Sequence, residues 1–135
     1  MAIKVFRFSA DLCDWKNTHE ATAKKHLGGK GAALVKMAQA GMNVPPGFTI
    51  PTEVCNDLAS LAHKNAQFVL VDEIMAEVGK RMVWLTEKFG YTPLVSIRSG
   101  APVSMPGMMD TILNVGLTYG NLEEWEARLG RRAAM

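Results

Sequence analysis

The chain has 135 residues, 48% of them hydrophobic and 21% charged, which predicts one packed domain with a modest core rather than two domains or a disordered segment. Fifteen basic and 13 acidic side chains leave a net charge of +2, a bias too weak to point to nucleic acid or an anionic membrane. No apolar run approaches a membrane span, the N-terminus lacks a secretory apolar core, and Cys13 and Cys55 make no disulfide framework, so a reducing cytoplasm is the expected setting.

Residues 2–8 alternate apolar and polar, the pattern of a half-buried strand. A polar stretch from Ser9 to His26 leads to Gly28-Gly29-Lys30-Gly31, which opens a helix with Leu34, Met37 and Ala38 on one face and Gly41 as its C-terminal cap. Pro45-Pro46-Gly47 forbids helix and introduces a strand at 48–50. Thr52 is placed to cap a helix carrying Val54, Leu58, Leu61 and Ala62. The spacing of Ile74, Val78, Met82, Leu85 and Phe89 predicts a longer helix over 71–89, closed by Gly90. Strands are expected at 94–98 and 111–117. Asn121 and Glu124 have the spacing of a capping box, opening a last helix with Trp125 and Leu129 on one face and Arg128, Arg131 and Arg132 toward its positive-favouring end. The expected fold is α+β: a small mixed or antiparallel sheet with three to four helices.

The residues that could carry chemistry fall in two segments. Glycines at 28, 29 and 31 leave room for a phosphate against backbone N–H groups at a helix start, and Lys30 adds a mobile positive charge. The spacing is not that of a P-loop, and an ordinary glycine-rich turn with a solvated lysine explains the same residues. The second segment, Leu94 to Gly116, ends an apolar strand at Arg98 and continues through Ser99, Gly100 and a loop rich in Gly and Pro. Arginine is the better planar fork for an anion; a surface arginine paired with a carboxylate is the plainer alternative. Lys24, Lys25 and His26 read as a solvated basic stretch. Asp110 reads equally as a turn residue bonding nearby backbone or as a catalytic acid. His19, His26 and His63 lack metal-ligand spacing, no metal site is expected, and no nucleophile–base pair stands out for catalysis. Met105, Met108 and Met109 are either adaptable core or a partner surface.

Three runs, residues 27–32 (Leu-Gly-Gly-Lys-Gly-Ala), residues 44–50 (Val-Pro-Pro-Gly-Phe-Thr-Ile) and residues 94–116, together resemble the N-terminal part of the ATP-grasp nucleotide-binding domain of the pyruvate, phosphate dikinase family, in that family's order. The run Ser104-Met105-Pro106-Gly107-Met108-Met109-Asp110-Thr111 is the most specific of the matching features. The resemblance covers residues 1–117 and leaves 118–135 as a helical tail outside it. It implies that Lys30 and Arg98 contact ATP phosphates, with Gly28, Gly29, Gly31, Ser99 and Gly100 forming the surrounding backbone. Ala33 and Pro102 depart from the family's usual residues. The family's metal-binding carboxylates, phosphohistidine domain and pyruvate barrel do not fit in 135 residues, so Mg would require carboxylates from another chain.

The expectation is therefore a truncated nucleotide- or phosphate-binding domain that is not catalytically competent alone. The alternative is a non-enzymatic interaction module, such as a decoy, a regulator or a component of a larger assembly like a virus particle. Half of a two-part site would expose apolar surface, so a protein partner or self-association is expected, with Met105, Met108, Met109 and Trp125 as candidates for the uncovered wall.

Overall fold

A computed structural model describes residues 3–62, 67–100 and 110–130. Its element order is β1 (Phe6–Phe8), α1 (Glu20–Gln39), β2 (Gly47–Thr49), α2 (Thr52–Ala62), α3 (Gln67–Phe89), β3 (Val95–Arg98), β4 (Thr111–Val115), a 3-10 turn (Tyr119–Asn121) and α4 (Leu122–Leu129). The class is α+β, with four α-helices among the described residues, as expected. The strands form two separate antiparallel ribbons, β1–β2 and β3–β4, rather than one sheet.

The first ribbon pairs Phe6 with Thr49 and Phe8 with Gly47. A Cβ on Gly47 would stand 2.6 Å from the Phe8 ring, so only glycine lets that ring lie across the partner strand. α1 covers this ribbon. Val5, Phe8, Ala23, Leu27, Ala32, Val35 and Val44 are buried there. The buried positions of the second half of α1 are Gly31, Ala32 and Val35, whereas Leu34, Met37 and Ala38 are only half-buried. Small residues won because a Cβ on Gly31 would already meet Leu27 and Thr49 at 3.1 Å.

α1 is not one rod. Gly28 sits at φ 74°, ψ 172°, breaking the helix into arms 20–27 and 29–39. Lys36 Nζ nevertheless lies 3.7 Å from Glu20 Oε2. In a straight helix, 16 residues span about 24 Å, beyond the reach of both side chains. The arms must therefore fold back on each other. Gln39 Nε2 confirms the closure by donating to the Trp15 carbonyl at 3.0 Å. The second arm ends at Gly41, φ 76°, with the Met42 N–H on the Met37 carbonyl at 3.0 Å.

Thr52 does not cap α2. It is the first residue of that helix and its hydroxyl donates to the Lys25 carbonyl at 2.6 Å, tying α2 to the end of the first arm of α1. α3 is already helical at Gln67, ahead of its expected start, and stops at Gly90, φ 77°, whose N–H reaches the Thr86 carbonyl at 2.8 Å. Its C-terminal half is held to the β1 region by charge. Trp84 lies under Arg7, and Lys88 donates to Asp11 at 2.7 Å. Lys88, and secondarily the Ser9 hydroxyl, lower the Asp11 carboxyl to about 2. A depressed folded value means that this tie is fully present above the ordinary 3.8 and is lost as the pH falls through 2. An NMR titration of the Asp11 carboxyl is expected to give a midpoint near 2; a midpoint at 3.8 would show that the tie does not form.

The last helix starts as expected but is not capped as expected. The Asn121 side chain turns backward, accepting from the Thr118 N–H at 2.8 Å and donating to the Gly116 carbonyl at 2.8 Å, so it is not free to cap α4. Trp125 and Leu129 also part company. Trp125 is buried, edge-on to Tyr91, while Leu129 is half exposed. Arg128 lies 4.1 Å over the same Tyr91 ring. Trp125 is thus covered, not a piece of bare wall.

Candidate functional site

The Gly28–Gly31 segment has three structural jobs. Gly28 supplies the turn between the two arms, at a φ/ψ pair open essentially to glycine alone. Gly29 lines a groove of about 310 Å³ between the arms, together with Asn17, Thr18, Lys24 and Lys36. Gly31 is the contact between helix and β2. The break also gives the second arm its own N-terminus, so N–H groups at its start lack partners four residues earlier.

Lys30 points elsewhere than Gly29. Its Nζ donates to the Ser99 carbonyl at 3.0 Å, across 69 positions of sequence. A Cβ on Gly100 would stand 3.9 Å from the Gly28 Cα. The end of β3 therefore meets the break in α1 twice, once through a side chain and once backbone to backbone. Arg98, the last residue of β3, stands opposite Thr111 of β4, is exposed, and forms no ion pair among the described residues. The plainer reading of Arg98, a surface salt bridge, finds no carboxylate among the described residues. The Ser99 N–H reaches the Asp110 carbonyl at 3.4 Å, which places Asp110 at the mouth of the β3–β4 loop as a backbone partner, its side chain exposed. Pro102, Met105, Met108 and Met109 lie outside the described residues, as does His63.

The basic stretch before the glycines is not simply solvated. Lys24 pairs with Glu20 at 2.8 Å, and His26 Nδ1 meets the Glu53 carboxylate in the first turn of α2. With the Thr52 bond to Lys25, that pair fixes the first arm just ahead of the break. Sequence reasoning missed this brace and the break itself. A Gly-Gly pair inside an otherwise helical pattern was the available signal. Among the described residues, no three His, Cys, Asp or Glu side chains gather closely enough to hold a metal ion, and no helix is long and apolar enough to cross a membrane.

No family model matches the chain. A pyruvate, phosphate dikinase of Zea mays is 41% identical over 138 aligned positions, taking in 97% of this chain and 14% of the maize protein. The Clostridium symbiosum enzyme is 42% identical across 82% of the chain. That of Entamoeba histolytica is 46% identical across 73%. The chain is homologous to a segment of the pyruvate, phosphate dikinases. It spans between 11% and 14% of the length of these relatives. The maize dikinase alignment, at its share of the chain, reaches into α4.

Proposed function

We propose that this dikinase-like segment grips the phosphates of a nucleotide, ATP by the family's chemistry, in an ATP-grasp-type half-site. The single observation that carries the reading is the Lys30–Ser99 hydrogen bond, which brings the helix break and the end of β3 together. An ammonium has three donors. One on Ser99 leaves two for phosphate oxygens while the bond holds Lys30 in place. Arg98, next in the chain, adds a guanidinium fork that no carboxylate among the described residues occupies. Gly28 and Gly100 keep side chains out of the approach, and the start of the second arm offers N–H groups to an anion. Phosphoryl transfer also needs metal ions and an acceptor; the role assigned to these residues is the grip on phosphate, not the transfer.

Calorimetry with ATP, ADP and AMP tests this reading. Affinity is expected to fall along that series, and Lys30→Ala is expected to weaken ATP binding by about 1.5–3 kcal/mol, the usual worth of a charged hydrogen bond. Equal affinity for ATP and adenosine would overturn the reading. The second reading, a scaffold for protein contact, draws on the bare side of α3.

A further inference from the structure

α3 leaves one side uncovered. Phe68, Val69, Met75 and Val83 are 69, 68, 60 and 58% exposed. Asp72, Ala76, Gly79 and Lys80 are exposed among them, and a Cβ on Gly79 would meet nothing within 4 Å. Val69, Ala76 and Val83 recur every seven residues, so they lie along one line of the helix. A contiguous apolar stripe of this kind on a soluble protein marks an interaction surface.

The charges on the stripe say what fits it. Asp72 and Lys80 stand four residues on either side of Ala76. Asp72 has no ion-pair partner among the described residues. Lys80 is held by Glu77 on its own helix at 3.0 Å, with its side chain 66% exposed. A second α3 laid antiparallel across Ala76 sets each Asp72 opposite the other copy's Lys80 and each Val69 opposite Val83. Ala76 then meets Ala76 at the crossing, and neither it nor Gly79 has bulk to hold the helices apart. The arrangement is self-complementary, as a two-fold interface requires. We propose that two copies of the chain associate through this face of α3 as an antiparallel dimer. One helix pair buries less than a standard interface, so the association is weak and depends on concentration.

Sedimentation velocity across a concentration series tests the pairing, with circular dichroism confirming that each variant is folded. Wild-type protein is expected to form a dimer as concentration rises. Asp72→Lys and Lys80→Asp each put like charges across both contacts, and each is expected to weaken self-association by about tenfold or more. An equimolar mixture of the two variants restores opposite charges at both contacts and is expected to recover the dimer. The proposal is overturned by a wild-type protein that stays monomeric throughout, by a single variant that associates as well as wild type, or by a mixture that does not recover.

Discussion

Trp125→Ala is expected to destabilise the protein by about 3–5 kcal/mol, the range for removing a large aromatic from a packed site. α4 is short, and eight residues form no stable helix in water by propensity. Its attachment rests on Trp125, which is buried edge-on to Tyr91, with Arg128 stacked 4.1 Å over the same ring. Without the indole, Tyr91 loses one partner and α4 loses its anchor. Leu129→Ala makes the control. That side chain is half exposed, so its loss is expected to cost well under about 1 kcal/mol. Urea unfolding of the two variants measures the difference. Equal midpoints would show that α4 is held some other way.

The second large effect is expected at Gly28. At φ 74°, ψ 172° an alanine is strained by about 1–3 kcal/mol. Alanine also favours continuing the helix through the break. Straightening α1 would carry Glu20 and Lys36 apart and draw Lys30 away from Ser99. Gly28→Ala is therefore expected to lower stability and nucleotide affinity together. Gly79→Ala provides the contrast. That glycine lies inside α3 with open space beyond it, and alanine there is expected to stabilise by up to about 1 kcal/mol. If Gly28→Ala were as harmless as Gly79→Ala, the break would not be what positions Lys30.

The helices were legible wherever a period of 3.6 met a glycine stop. Gly41 and Gly90 both end helices in left-handed geometry, as their positions in the pattern indicate. The strands were legible to within a few residues, because alternation and Pro-Pro-Gly are local signals. Their pairing was not. Whether β3 joins β1–β2 or only β4 depends on contacts more than 40 residues apart in sequence, which no local pattern carries. The folding back of α1 was missed for a related reason. The run from Glu20 to Gln39 is helical on either side of one residue, and the reversal shows in tertiary contacts such as the 3.7 Å approach of Lys36 to Glu20. At the site, residue types were readable while partners were not. Lys30 stood out as a cation beside glycines, but its bond to Ser99 is a tertiary contact. The cap at Asn121 shows the limit of motifs. The spacing to Glu124 was right, yet the side chain found a nearer use on Thr118 and Gly116.

The central claim is that Lys30 and Arg98 form one phosphate grip. Calorimetric titration of ATP into wild-type protein and the Lys30→Ala/Arg98→Ala double variant tests it most directly. Wild-type protein is expected to bind, and the folded double variant, stripped of two charged contacts worth about 1.5–3 kcal/mol each, is expected to show no measurable binding. ATP binding by the double variant at wild-type affinity, or no binding by the wild type, would contradict the claim.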